Sequence, residues 1–174
     1  MSTGIIRRID ELGRIVIPKE IRKSLRIKNG DNLEIFVDAE CIMLKKYSQI
    51  ENVIDMVSMY AESFHQVLRY NVIVTDTDKI VACAGDLSKK YLNHEISNSL
   101  TEMIERRNNF IQRKKDSLEI IPEVFEQGYY AIATIITNGD SIGSVIILSL
   151  DSPMLEQEEK LAKILANILS NYFV

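Results

Sequence analysis

The stretch GIIRRIDELGRIVIPKEIRKSLR, residues 4–26, decides the fold at the amino-terminal end of this 174-residue chain. Residues 4–9 and 14–17 are rich in β-branched side chains and predict two short strands, and residues 10–13 supply the turn between them. Pro18 cannot donate a backbone hydrogen bond to a sheet, but its fixed φ suits the first position of a helix. The sequence therefore predicts a β-hairpin followed by a helix from Lys19 to Leu25.

Two further strands are predicted after this helix. A turn signal at residues 29–31, Asn-Gly-Asp, precedes strands at 33–37 and 41–45, which a tight hairpin at 38–40 connects. The result is a β-β-α-β-β module within residues 1–50. A domain of this size buries too little apolar surface by itself, and the sequence offers neither a disulfide framework nor a cluster of metal ligands. We therefore expect a homodimer with intertwined strands.

The net charge of −4 is unevenly distributed along the chain. Residues 1–50 contain ten basic and seven acidic side chains, whereas residues 51–174 contain eleven basic and eighteen acidic ones. Between Ile5 and Lys28 there are eight basic residues and three acidic ones. This asymmetry indicates an anion-binding head on an acidic body.

The predicted helix carries its basic residues at helical spacing. Lys19, Arg22, Lys23 and Arg26 fall at i, i+3, i+4 and i+7 and would share one face, with Ile21 and Leu25 on the opposite side. Four like charges on one face repel one another unless an anion lies over them. The hairpin adds three arginines, whose planar guanidinium groups suit phosphates and guanine edges. The candidate residues for binding double-stranded DNA are Arg7, Arg8, Arg14, Lys19, Arg22, Lys23 and Arg26.

The same residues carry a resemblance to a known family. The stretches STGIIRRIDELGRIVIPKEIR (2–22), LEIFVD (33–38) and LKKY (44–47) resemble an AbrB-type swapped-hairpin DNA-binding domain. With the domain that follows and the total length, the whole chain resembles regulators of late gene expression in the developing spores of Gram-positive bacteria. The resemblance implies interleaved dimeric hairpins and a carboxy-terminal GAF-like domain that aids formation of a homotetramer. The DNA-contact positions that it implies are Arg7, Arg8, Arg14 and Arg22, with Lys23 where relatives often have arginine.

Residues 51–69 predict a helical linker. From Ile50 onward, apolar residues recur at spacings of three and four, namely Ile50, Val53, Val57, Tyr60, Phe64 and Val67. The repeat lasts about two and a half heptads, which is short for a coiled coil. Two interpretations stay open: a dimer-spanning helix, which we favour because the preceding module needs to dimerise, and an amphipathic helix packed on its own domain.

Residues 70–174 predict a sensor-type α/β domain. Strands are expected at 71–76, 79–84, 129–137 and 142–150, and a helix at 92–107. Asn138 and Gly139 indicate a hairpin turn, because both tolerate positive φ. Ser152 and Pro153 are expected to cap and open a final helix. The complete chain is therefore an α+β protein with a GAF-like carboxy-terminal domain, whose small-molecule ligand, if it has one, the sequence does not identify.

Other kinds of site find little support in the sequence. The two histidines and two cysteines have no ligand spacing, so we expect no metal and no cofactor. Cys41 and Cys83 lie in apolar runs and are interpreted as reduced core residues. A second basic cluster at residues 106–107 and 113–115 is interpreted as a solvated helix end and loop, with an additional DNA or partner contact as the alternative. The amino terminus lacks the apolar core of a signal peptide and no window suits a membrane span, so we expect a cytoplasmic protein.

The sequence thus predicts a sequence-specific, DNA-binding transcription regulator, both activator and repressor, of late sporulation genes in the forespore. One alternative is an antitoxin-like autoregulator, since related swapped-hairpin domains carry toxin-binding tails. The well-patterned helices and strands after residue 50 disfavour such a tail. The other alternative is an enzyme within residues 70–174, and no catalytic constellation favours it.

Overall fold

The computed structural model of the chain describes residues 4–173. Ser2 and Thr3, which begin the AbrB-type stretch, therefore lie outside the described residues. The contacts divide the chain into two compact units, with the boundary between Tyr47 and Ser48.

The first unit contains one short helix and one β-hairpin. Helix α1 spans Lys19–Ser24, and strands β1 (Leu33–Asp38) and β2 (Cys41–Lys46) pair antiparallel, with Asp38 opposite Cys41. Ala39 in the two-residue turn has a φ of 45°, as a tight hairpin requires. The predicted helix and second hairpin are confirmed.

The two strands predicted at residues 4–9 and 14–17 are wrong for the isolated chain. Residues 4–10 and 14–18 have no regular secondary structure, and a turn with a backbone hydrogen bond of 3.1 Å from Asp10 N–H to Arg14 C=O connects them. A strand needs a neighbour to complete its ladder, and no neighbouring strand pairs with these residues within the described chain. Their apolar side chains consequently remain exposed, by 92% at Ile6 and 74% at Val16.

The second unit is a five-stranded antiparallel sheet covered by helices on both faces. A short 3₁₀ turn at Glu51–Val53 leads into its regular elements, which are α2 (Ile54–Leu68), β3 (Asn71–Thr75), β4 (Ile80–Ala84), α3 (Ser88–Tyr91), α4 (Asn98–Glu105), β5 (Phe110–Ile121), β6 (Val124–Thr137), β7 (Asp140–Ser149) and α5 (Glu156–Tyr172). The strand order is β4-β3-β7-β6-β5, which leaves β4 and β5 at the edges.

Alternating residues of the strands supply two separate cores. Val72, Val74 and Ile147 belong to the core beneath α2 and α5, whereas Ile73, Ile146 and their neighbours form the other core with α3 and α4. This alternation follows from the two-residue period of a strand, which turns successive side chains to opposite faces.

Helix α2 packs on the sheet of its own unit. Val57 and Ala61 are fully buried in the core that α2 and α5 share, and Tyr60 and Phe64 pack against it. The seam predicted from sequence therefore contacts the same chain, in agreement with the intrachain interpretation rather than with the favoured dimer-spanning helix. Val67 departs from the seam, since its side chain is 82% exposed.

Two further predictions in this unit need correction, and one strand has no counterpart among the predictions. The helix expected at 92–107 is limited to α4, which Ser97 caps by accepting a 3.1 Å hydrogen bond from the Leu100 N–H. The final helix begins at Glu156, because the carboxylate of Glu158 accepts the Leu155 N–H at 2.8 Å and caps the helix there instead of at Ser152. Strand β5 was not predicted at all.

The hairpin expected between the two long strands β6 and β7 is confirmed. Asn138 and Gly139 have φ values of 51° and 86°, the positive pair that this turn type requires.

Candidate nucleic-acid interface

The turn between the two amino-terminal segments is organised by one carboxylate. Oδ1 of Asp10 accepts hydrogen bonds from the backbone N–H of Leu12 (3.0 Å) and of Arg14 (2.8 Å), and Oδ2 accepts one from Nε of Arg14 at 2.7 Å. The backbone N–H and the guanidinium of Arg14 lower the pKa of Asp10. The ion pair occupies Nε, while the Arg14 side chain remains 72% exposed. Asp10 therefore orients Arg14 without covering it.

Arg7 and Arg8 lie on the exposed segment before this turn. Both side chains are exposed, so each guanidinium is accessible to an anion.

Helix α1 brings together three of the predicted residues. Lys19 and Lys23 are exposed on its surface, and Arg22 lies between them, half-buried. Nη1 of Arg22 donates to Oδ1 of Asn29 at 3.4 Å, and its Nε is buried without a hydrogen-bond partner in the described part of the chain. Lys19 and Lys23 are thus presented freely, whereas Arg22 is held by the turn that follows the helix.

Arg26 does not share the α1 face, and its predicted position there is wrong. The helix ends at Ser24, and Arg26 has a left-handed φ of 52°. The Ile27 N–H donates to the carbonyl of Arg22 at 2.7 Å, and the Arg26 N–H donates to that of Lys23 at 3.3 Å. This is a Schellman motif, in which glycine is the usual residue at the left-handed position. The helical period therefore stops before it can place Arg26.

The turn after α1 is fixed by Asn29 and Asp31, which the sequence analysis named as a turn signal but not as residues that support the site. Asp31 accepts the Lys28 N–H at 2.8 Å, and its carboxylate pairs with Nζ of Lys46 at 3.2 Å. Asn29 and Asp31 belong to the predicted Asn-Gly-Asp turn, which was the available signal, although nothing local linked that turn to Arg22 or Lys46.

The cysteines occupy different environments. Cys41 is exposed in the described chain, contrary to the core position that its apolar run predicted. Cys83 is half-buried in β4, and burial raises the pKa of its thiol to about 12, so it is a poor nucleophile. Within residues 4–173, no group of three or more His, Cys, Asp or Glu side chains is arranged to hold a metal ion. Of the helices described, none is long and apolar enough to span a membrane.

Comparisons with known proteins agree with the division of the chain into two units near residue 48. Residues 6–52 match the family model described as "Antidote-toxin recognition MazE, bacterial antitoxin", and residues 52–173 match "Stage V sporulation protein T C-terminal, transcription factor". The transition state regulatory protein AbrB of Bacillus subtilis (strain 168) is 63% identical over 46 residues, which are 26% of this chain and 48% of that protein. The cofactor-binding GAF domain of the nutrient sensor CodY from Clostridium difficile has a TM-score of 0.53 at 15% identity, over 90% of this chain and 94% of that one.

These features define a transcription regulator with an AbrB-like DNA-recognition domain and a GAF-like domain. Stage V sporulation protein T of Bacillus subtilis (strain 168) is 41% identical over 171 residues, covering 97% of this chain and 96% of that protein. The chain belongs to the stage V sporulation protein T family.

Proposed function

We propose that this chain binds double-stranded DNA through its first unit and both activates and represses late sporulation genes in the forespore. Membership of a transcription-factor family carries this proposal. The exposed cations of the first unit support it, because Lys19 and Lys23 are presented to solvent and Arg14 stays 72% exposed although its Nε pairs with Asp10. The proposed site of action is the cytoplasm, at the nucleoid.

The phosphate contacts are assigned to Arg7, Arg8, Arg14, Lys19 and Lys23. Each contact releases condensed counterions, so affinity falls steeply with salt. Arg22 is assigned two roles, a contact with DNA and a hydrogen bond to Asn29 that holds its guanidinium close to the protein surface. Arg26 contributes charge from the turn after the helix rather than from the helical face.

The first unit is proposed to form a homodimer. Its exposed apolar side chains include Ile6 (92%), Leu12 (75%), Val37 (79%) and Ile42 (74%). Such a density of uncovered apolar surface in a small unit is typical of an interface. A second copy that interleaves its amino-terminal segments would supply the strand partners that residues 4–17 lack in one chain, and the second unit would extend the assembly to a homotetramer.

The antitoxin alternative is less well supported. The antitoxin family model ends at residue 52, and the residues beyond it match the transcription-factor model instead. Residues 48–173 are a folded sheet with two cores rather than a short tail. No residue is assigned a catalytic role. The proposal includes a small-molecule ligand of the GAF-like unit, and no binding site is assigned to it.

A gel-shift titration of the full-length chain on promoter DNA tests the function. Arg14→Ala and Lys23→Ala each remove an exposed cation and should weaken binding at 150 mM salt, by about 1 kcal/mol each, as is typical of a solvent-exposed ion pair. Lys160→Gln is the matched control, since Lys160 is an exposed lysine of α5 that pairs with Glu156. Unchanged affinity in both arginine and lysine variants would contradict the proposed surface.

Light scattering of the full-length chain tests the assembly. We expect the mass of a dimer or tetramer at micromolar concentration. A monomer under conditions where the chain binds DNA would refute the proposed homodimer.

A further inference from the structure

Residues 113–115 of the second basic cluster lie on an edge strand rather than in the loop that the sequence suggested, whereas residues 106–107 lie at the solvated end of α4, as expected. Arg113, Lys114 and Lys115 belong to β5, at the edge of the sheet. Gln112 pairs with Tyr130 and Asp116 with Gly128, so these three residues face a single residue of β6. The three exposed cations thus form a protruding bulge, here termed the basic bulge.

The charge around the basic bulge is exceptional for the second unit. Residues 106–115 contain five basic side chains and no acidic one, whereas the rest of 51–174 contains six basic and eighteen acidic residues. Four of those six pair with carboxylates, namely Lys79, Lys90, Lys160 and Lys163. Positive charge elsewhere in the unit is therefore mostly neutralised internally.

The basic bulge itself is weakly neutralised. Arg113 lies 3.8 Å from the carboxylate of Glu159, and Lys114 and Lys115 form no ion pair with any residue in the range 4–173. The adjacent Asp116 instead accepts hydrogen bonds from Nε2 of Gln112 (3.1 Å) and from the Ser117 N–H (2.8 Å). Consecutive unpaired cations repel one another, so this arrangement favours an anionic partner.

Protection of the sheet edge does not explain the sign of the charge. A bulge and charged side chains discourage edge-to-edge pairing, and carboxylates would do so as well as lysines. In a unit where acidic residues outnumber basic ones, the chain places three successive cations at this edge. An acidic unit tethered to a DNA-binding domain is repelled by the duplex, and a local basic surface offsets that repulsion.

We infer that the basic bulge is a second DNA-contacting surface, at which Lys114 and Lys115 bind backbone phosphates of the duplex flanking the site held by the first unit. This inference rests on the proposed DNA binding. The contact is sequence-independent, because flexible lysines act as point charges on phosphates. It raises avidity, since the first unit already holds the duplex and makes the second contact intramolecular.

The test compares full-length chains on two duplexes that share one central sequence. The duplexes are about 20 and about 60 base pairs long, and fluorescence anisotropy gives Kd between 50 and 200 mM salt. The test variant is Lys114→Gln with Lys115→Gln. The matched control is Lys89→Gln with Lys160→Gln, which removes two exposed lysines from α3 and α5 and gives the same net charge.

On the long duplex, wild type should lose about tenfold more affinity across this salt range than the bulge variant, since each lost phosphate contact reduces the log–log slope by about 0.9. On the short duplex, wild type and the bulge variant should agree. Lys114→Arg with Lys115→Arg should restore the wild-type slope, which shows that the charge and not the local fold is responsible.

Two results would overturn the inference while leaving the proposed function intact. One is a bulge variant with the wild-type slope on the long duplex; the other is a control variant that loses as much slope as the bulge variant. If wild type bound neither duplex at 50 mM salt, the proposed function itself would fail.

Discussion

Nε of Arg14 donates a 2.7 Å hydrogen bond to Oδ2 of Asp10, so a carboxylate four residues earlier holds a side chain proposed to contact DNA. The same carboxylate accepts two backbone N–H groups of its own turn. One side chain thereby closes the turn and orients the guanidinium, which reduces the conformational freedom that Arg14 would lose on binding a phosphate.

The titration of Asp10 should report this arrangement. The backbone N–H and the guanidinium of Arg14 lower the pKa of Asp10 below its ordinary value of 3.8. The stabilisation of the turn is therefore complete above the ordinary pKa and is lost as pH falls through the lowered one. Carboxyl chemical shifts from NMR should give a value below 3.8 in wild type. In Arg14→Ala the pKa of Asp10 should return only part of the way to its ordinary value, because the backbone N–H donors of residues 12 and 14 remain. A wild-type pKa at or above the ordinary value would contradict the arrangement.

Arg26 in its left-handed conformation should tolerate glycine well. A residue with a Cβ costs about 1 kcal/mol in this region, and glycine avoids that cost. Arg26→Gly is expected to maintain or raise the thermal midpoint of the first unit, whereas the β-branched Arg26→Val should lower it. Scanning calorimetry of the full-length chain measures both. A clear loss of stability in Arg26→Gly would show that contacts of the guanidinium outweigh the backbone strain.

Tyr91→Phe should destabilise the second unit by about 2 kcal/mol. The ring of Tyr91 is fully buried, and its hydroxyl donates to the carboxylate of Glu126, which also pairs with Lys90. Removing a hydrogen bond to a charged group costs about 1.5–3 kcal/mol. Urea unfolding measures the change, with Tyr129→Phe as the control, since the Tyr129 hydroxyl has no hydrogen-bond partner among residues 4–173. Equal stability losses in the two variants would contradict the assignment.

The carboxylate of Glu126 also makes the stability loss in Tyr91→Phe depend on pH. Partial burial would raise the pKa of Glu126, but the hydrogen bonds from Lys90 and Tyr91 outweigh it and lower the pKa. Its contribution to stability is therefore complete above the ordinary pKa of 4.5 and disappears as pH falls through the lowered value. The difference between wild type and Tyr91→Phe should shrink on acidification.

Gly143→Ala should be among the most destabilising single-methyl changes in the second unit. A Cβ at this position would lie 2.0 Å from the carbonyl oxygen of Thr75 and 2.8 Å from Cδ1 of Ile50. Because the closer atom belongs to the backbone of a paired strand, relief requires movement of the sheet, at a cost of about 3 kcal/mol. Gly4→Ala is the matched control, since a Cβ there has no neighbour within 4 Å. Denaturant unfolding with a similar midpoint for both variants would contradict this prediction, because it would show that strands β3 and β7 can move apart at little cost in free energy.

The local predictions succeeded where neighbouring residues alone decide the conformation. The Asn138-Gly139 turn, helix α1 and the β1–β2 hairpin depend on φ preferences and on short-range periodicity. Strand β5 was missed because its centre, Arg113 to Asp116, reads as a loop; it is a strand because β6 supplies hydrogen bonds on either side of the bulge. Charge is tolerated there because the strand lies at an edge.

The sequence by itself determined the two-part division of charge, the AbrB-like head and the identity of its basic residues, because composition and motif spacing are properties of the linear chain. The tertiary structure decided how these residues are presented. The end of α1 removed Arg26 from the helical face, Asn29 holds Arg22, and Asp10 orients Arg14. It also placed residues 113–115 of the second basic cluster on an exposed strand edge. These outcomes depend on which groups satisfy one another across turns and strands, and the free energies of such non-local contacts cannot be read from residue spacing.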